Sequence, residues 1–255
     1  MSKRIEDFEV IENKKLTNDF CVIELSGSLK LPELKPGQFA QVRVDGSSET
    51  FLRRPISIHD VDYESNTIKL LVQIAGKGTE TLSNLKKGEI LNLVYPLGNS
   101  FSMPSENEKI ALVGGGCGVA PLLYLARYFR TNGHKPDIIL GFRNSERVIE
   151  YGEYSKFGNV FITTEDGSRG EKGFIINHSI FSTASYDKIY CCGPERMMKA
   201  VAAYCKVNNI ACEVSLENLM ACGIGVCLCC IVNTVKGNVC SCTDGPIFNI
   251  NDLRW

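Results

Sequence analysis

The stretch KIALVGGGCGVAPLLYLARYFRTNG, residues 109–133, decides how the second half of this chain folds. A short apolar run, a turn built of glycine and then apolar residues at helical spacing read as buried strand, tight turn and crossover helix. Gly114, Gly115, Gly116 and Gly118 stand where backbone would have to approach a pyrophosphate closely. The strict G-x-G-x-x-G template is not met, because the sixth position from Gly114 is Val119. A glycine turn serving only strand-to-helix packing is the alternative. Pro121 fits the first helical turn, where its missing N–H costs nothing.

The same pattern continues outward. DIILGF (137–142), VFITT (160–164) and KIYCC (188–192) supply further buried strands, and PERMMKAVAAYCKVNN (194–209) another helix. Strands alternating with helices imply a parallel sheet with crossovers, a nucleotide-binding architecture. The second strand ends in Gly141-Phe142-Arg143, with no acidic residue to take a ribose 2′-hydroxyl, and Arg143 suits a 2′-phosphate, so NAD and NADP both stay open. Cys192-Gly193-Pro194 ends a strand and starts a helix, the crevice where ligands bind in such sheets. Cys192 is therefore a candidate catalytic residue beside a nicotinamide, with an inert buried thiol as the ordinary alternative.

Upstream the pattern differs. FCVIEL (20–25), QFAQVRV (38–44), TIKLLVQI (67–74) and EILNLVY (89–95) are strands separated by turns such as Lys35-Pro36-Gly37 and Lys87-Gly88. This spacing suits a small β-barrel, interrupted by one helix at about 79–86. Arg54-Pro55-Ile56-Ser57 opens a strand with a forked donor, a stiff turn and a hydroxyl, a set that suits a pyrophosphate and the edge of a flat ring. Gly78 and Thr79 begin the short helix, so its free N–H groups can meet phosphate. Two phosphate-facing elements in one barrel imply a dinucleotide such as FAD. Singly each is common: an Arg is ordinarily a solvated surface residue, and the glycine pair can be a helix start and no more.

Of twelve cysteines, most lie from Cys205 to Cys242. Cys222, Cys227 and Cys230 have the spacing C-x4-C-x2-C, and Cys242 follows after eleven residues, the plant-type pattern for a [2Fe-2S] cluster. Structural zinc, the rival, usually takes two short C-x2-C pairs. Cys229 and Cys240 are extra thiols beside this set, while Cys21, Cys205 and Cys212 read as small core residues. From about Ala211 no helical period remains, so this segment is expected to be held by something other than an apolar core. His59, His134 and His178 match no ligand spacing. The expected division is a flavin barrel over 1–103, a nucleotide domain over 104–210 and a cluster segment over 211–255.

With 44% hydrophobic residues the chain can bury real cores without disulfides. A net charge of −1 with scattered basic residues argues against nucleic acid and anionic lipid as partners. No signal peptide or membrane-length apolar run is seen, so a cytoplasmic protein is expected.

Three motifs stand in one order: RRPIS, then GGGCGVAP with CGP, then ENLMACGIGVCLCC ending in CTDGP. That order resembles the ferredoxin reductase superfamily extended by a C-terminal [2Fe-2S] segment, and within it the electron-transfer subunits of NAD-dependent, class 1B dihydroorotate dehydrogenase. The resemblance covers nearly the whole chain. GKGT and PLGNSF also fit, whereas Tyr95 replaces the usual glycine before PLG. It implies that FAD is held by Arg54, Pro55, Ile56 and Ser57, by Leu71, Val72 and Gln73, and by Gly78 and Thr79. It implies cluster ligation by Cys222, Cys227, Cys230 and Cys242. It further implies a catalytic FMN-containing partner subunit, two copies of each forming a heterotetramer, with electrons passing through the cluster and FAD to NAD. The rival within this fold is the flavin subunit of an NAD(P)-linked hydrogenase, sulfhydrogenase or ferredoxin:NADP oxidoreductase. Some relatives of the last type carry Asp where this chain has Cys222. A rival of another class is a redox-sensing or zinc-binding module without turnover.

Overall fold

The computed structural model describes residues 3–255. Six antiparallel strands, β1 (Arg4–Lys15), β2 (Phe20–Gly27), β3 (Phe39–Val42), β4 (Arg54–Asp62), β5 (Thr67–Gln73) and β6 (Ile90–Leu97), close into a barrel in the order β1-β2-β5-β4-β3-β6. Strand β1 escapes a search for apolar runs because one of its inward positions is a carboxylate: Glu6, Phe8 and Val10 are buried in alternation. Glu6 is satisfied there by the Tyr95 hydroxyl at 2.7 Å and the Leu29 N–H at 3.2 Å, which gives the unexpected tyrosine a partner. Helix α1 (Lys77–Ser83) begins two residues before the expected 79 and ends earlier, because the Thr79 hydroxyl accepts from the N–H groups of Ala75 and Gly76 and fixes the first turn.

The second domain is built from β7 (Ile110–Gly115), α2 (Leu122–Thr131), β8 (Asp137–Phe142), α3 (Tyr151–Tyr154), β9 (Asn159–Thr164), β10 (Glu171–Lys172), α4 (Ile180–Thr183), β11 (Lys188–Cys192) and α5 (Glu195–Val207). Its sheet does not stop at residue 210. Strand β12 (Ala211–Ser215) pairs in parallel with β11, and after the hairpin β13 (Ile231–Thr234) and β14 (Gly237–Cys240) the chain returns as β15 (Ile247–Asn249), antiparallel to β12. Val214, Val232, Phe248, Ile250 and Leu253 join the apolar cluster of the sheet, so the last segment is anchored by an ordinary core on either side of its cysteine loop. The reason it hides from periodicity is brevity, since strands of three to five residues give almost no repeat to detect.

Helix α2 lies between the two domains. Its Leu122, Leu125 and Phe129 share a core with Phe20, Val22 and Leu71 of the barrel. Polar ties reinforce the contact: Arg127 to Asp60 at 3.0 Å, Arg147 to Asp19 at 2.6 Å, and the Tyr124 hydroxyl donating to the Leu34 carbonyl at 2.8 Å. At the centre His59 is fully buried, with Nδ1 2.6 Å from the Ala120 carbonyl and Nε2 2.7 Å from Glu150. With Glu150 ionised both partners are acceptors, and both ring nitrogens then donate. Burial by itself opposes the imidazolium, but Glu150 and the Ala120 carbonyl outweigh it and raise the His59 pKa above 6.5. A raised folded-state pKa gives stability that is complete below the unfolded value and lost as pH rises through the folded one. Glu150→Gln should therefore lower the melting temperature most near pH ~6, by an amount corresponding to about 1.5–3 kcal/mol, with the deficit shrinking in alkaline buffer. A pH-independent deficit in a melting series would contradict the charged pair.

No helix among the described residues is long and apolar enough to cross a membrane.

Candidate functional site

The barrel presents two adjacent arginines, and their surroundings separate them. Arg53 is used by the scaffold: Nη1 donates to the carbonyls of Gln41 and Asn92 at 3.2 and 3.0 Å, and Nη2 to Asn92 Oδ1 at 2.5 Å. Arg54 bonds only nearby carbonyls, chiefly Leu52 at 2.9 Å, and lays its side chain over Gly78, where an added Cβ would come within 3.0 Å of Nε. The free fork and the first turn of α1 thus face the same space. Pro55, Ile56 and Ser57 follow along β4, half-buried. Leu71 and Val72 bury their side chains in core clusters and can offer only backbone, while Gln73 is half-buried at the end of β5. The Thr79 hydroxyl is committed to its own turn, leaving backbone N–H groups as the donors of that element.

The glycine run does not lead straight into a helix, for a 3-10 turn over Gly116–Val119 precedes Pro121 and α2. Three of its four glycines are demanded by internal packing. A Cβ on Gly118 would stand 2.3 Å from Gly193 Cα and 2.4 Å from the Cys192 carbonyl carbon, one on Gly115 2.4 Å from Met197 Sδ, and one on Gly114 2.8 Å from Leu122 Cδ1. Only Gly116, at φ +55°, faces open space. The run therefore brings the ends of β7 and β11 into contact, and Gly193-Pro194 forms the other lip of the crevice. Cys192 is buried there with its thiol 4.0 Å from Glu217 Oε1, an acidic neighbour 25 residues away that local spacing does not reveal. Burial first, and that carboxylate second, hold the Cys192 pKa well above its ordinary value, so it is a thiol and not a nucleophilic thiolate. Beside it a cavity of about 320 Å³ opens between Gly193, Pro194 and Glu217 and the tail residues Arg254 and Trp255.

The cysteine loop is shaped by left-handed residues, Gly223 at φ +69° and Gly225 at φ +83°, which turn backbone inward. Cys222 Sγ accepts the N–H groups of Ile224 and Cys227, each at 3.4 Å. These bonds, that of Ile224 foremost, pull the Cys222 pKa down to about 6, so the ligand form is ready at neutral pH. Cys230 and Cys242 are buried against Phe39 and Leu97 of the barrel, and burial together with the facing Cys230 pushes Cys242 up to about 12. Cys230, Cys242 and Cys240 share one cluster with Phe39 and Leu97, while the Cys222 thiol faces the Cys227 backbone. Among the described residues no three Cys, His, Asp or Glu side chains converge as a single-ion site. Of the two extra thiols, Cys229 points away to the Leu219 carbonyl at 3.8 Å, whereas Cys240 lies beside Cys230. The two strings PLGNSF and CTDGPIF prove to be hydrogen-bonded to one another: Asn99 Nδ2 donates to the carbonyls of Asp244 and Ile247, and Asn99 Oδ1 accepts from the Ile247 N–H, each at 2.9 Å.

Barrel, parallel sheet and cysteine loop in this order define an electron-transfer oxidoreductase of the ferredoxin-reductase type with an added iron–sulfur domain. Residues 112–203 match the oxidoreductase NAD-binding domain, and residues 217–254 match the iron–sulfur cluster binding domain of dihydroorotate dehydrogenase B. The dihydroorotate dehydrogenase B (NAD+) electron transfer subunit of Fusobacterium nucleatum is 37% identical over 98% of this chain and 99% of its own length. That of Clostridium acetobutylicum is 39% identical over 96% and 95%. Among solved structures, the NADH-dependent reduced ferredoxin–NADP oxidoreductase superposes with a TM-score of 0.87 at 28% identity, covering 97% of this chain and 90% of that one. The ferredoxin reductase of carbazole 1,9a-dioxygenase shares the fold, with a TM-score of 0.71 at 20% identity over 82% of this chain and 67% of that one. The chain belongs to the family of dihydroorotate dehydrogenase B (NAD+) electron transfer subunits.

Proposed function

We propose that this chain accepts electrons from a dihydroorotate-oxidising FMN subunit and delivers them to NAD+, holding the cluster through Cys222, Cys227, Cys230 and Cys242. The observation that carries this reading is the Cys222 thiol receiving two backbone N–H groups inside a loop of left-handed glycines. Sulfur ligands of a cluster need such donors, and one close triple of cysteines with a distant fourth suits [2Fe-2S] better than zinc. When bound, the cluster carries single electrons and the flavin exchanges them for the hydride of a nicotinamide. Arg54 supplies the charged fork for the FAD pyrophosphate, the first-turn N–H groups at Gly78 and Thr79 assist it, and Pro55, Ile56, Ser57 and Gln73 line the ring. Gly116, Gly193 and Pro194 border the nicotinamide crevice, while Gly115 and Gly118 let its two lips meet and Gly114 makes room for Leu122 of α2. The neutral Cys192 thiol, anchored by Glu217, serves as a wall of that crevice. Two copies of this chain assemble with two FMN subunits, and twelve cysteines, all free, suit a reducing cytoplasm.

The protein purified without oxygen is expected to carry one FAD and one [2Fe-2S] cluster per chain, both visible in its absorption spectrum. Metal analysis that finds zinc, with neither iron nor sulfide, would remove the cluster from this reading.

A further inference from the structure

Gln41, in β3, has no exposed surface, and among the described residues neither its Nε2 nor its Oε1 has a hydrogen-bond partner. Apolar Phe39, Val94 and Leu97 surround that part of the barrel wall. Leaving both halves of a buried amide bare is unfavourable for folding, so a leucine would serve the barrel better. The amide has a definite direction. A Cβ built on Gly223 would stand 2.6 Å from Gln41 Cγ and 3.0 Å from Nε2, which places the carboxamide against the cysteine loop next to Cys222. Across the strand ladder Gln41 pairs with Pro55, in the segment proposed for the flavin. Gln41 therefore meets the flavin segment through its backbone and the cysteine loop through its side chain.

We infer that Gln41 is a positioning residue for the iron–sulfur centre, its Nε2–H donating to sulfur of the bound cluster on the Cys222 side. This rests on the cluster site proposed above. The loop's own N–H groups of Ile224 and Cys227 go to Cys222 Sγ, and a bound cluster adds the sulfur acceptors that the amide lacks. A donor to sulfur stabilises the reduced, more negative form more than the oxidised one, and the apolar walls strengthen that preference. Gln41 thereby raises the potential at which the loop's cluster accepts an electron.

The test is a redox titration of the complete complex, wild type and Gln41→Leu, following the reduced cluster by electron paramagnetic resonance. The variant should keep its cluster and its FAD midpoint, while the cluster becomes about tenfold harder to reduce, ~59 mV for a one-electron carrier. Pulsed resonance on protein labelled with side-chain ¹⁵N-glutamine should show a coupling that Gln41→Leu lacks. An intact signal with an unmoved midpoint overturns the role. Should Gln41→Leu lose the cluster, Gln41→Met, which fills the space more closely, takes its place, and absence of any glutamine coupling in the wild-type protein is decisive against the inference. A wild-type protein with no reduced-cluster signal at all would instead refute the cluster site itself.

Discussion

Cys227→Ser should abolish the iron–sulfur absorption while leaving FAD bound and NADH oxidation by a flavin-reactive dye intact. An alkoxide is a harder and far more basic donor than a thiolate and suits iron–sulfur ligation poorly. The substitution leaves the Cys227 N–H in place to donate to Cys222 Sγ, so the loop keeps its shape and the effect reports on the ligand. Dihydroorotate-to-NAD transfer in the reconstituted complex should be lost, because in the proposed path electrons reach FAD through the cluster. A spare thiol is the foreseeable complication. Cys229 is turned towards the Leu219 carbonyl, whereas Cys240 sits by Cys230 and within electrostatic reach of Cys227, so Cys227→Ser with Cys240→Ser is the informative double variant. If it lacks the cluster yet reduces NAD from dihydroorotate at the wild-type rate, the order of carriers proposed here is wrong.

Arg54→Ala should weaken FAD binding about tenfold to a hundredfold, the equivalent of a charge-assisted hydrogen bond worth roughly 1.5–3 kcal/mol, with the cluster unaffected. The neighbouring Arg53→Ala should behave differently. Arg53 ties β3 to β6 through the Gln41 carbonyl and Asn92, so its loss should lower the melting temperature of the barrel before it alters flavin affinity. Flavin titration by fluorescence, with melting curves on both variants, separates the two. Equal flavin affinity in wild type and Arg54→Ala would move the pyrophosphate site elsewhere.

By itself the sequence determined whatever rests on local repeat and on coordination chemistry. Apolar runs of strand length around glycine and proline turns are enough for a barrel, and strand–turn–helix repeats are enough for a parallel sheet. The spacing Cys222, Cys227, Cys230 with a distant Cys242 points to the ligand set proposed here, because thiolate geometry restricts how far apart neighbouring ligands can lie in the chain. What the tertiary structure alone decided are relations between segments that sequence distance does not constrain. RRPIS reads the same whichever arginine is free, and only the position of Asn92 shows that Arg53 is engaged. GGGCG looks like a phosphate loop, yet the approach of Gly193, Met197 and Leu122 is what three of its glycines accommodate. His59, without any ligand spacing, becomes the buried polar centre of the domain contact because the fold brings Glu150 to it from 91 residues away. Buried polar groups such as Glu6, Gln41 and His59 break the apolar pattern on which sequence reading depends, and each is explained only by the partner that folding, or a bound cofactor, delivers to it from a remote part of the chain.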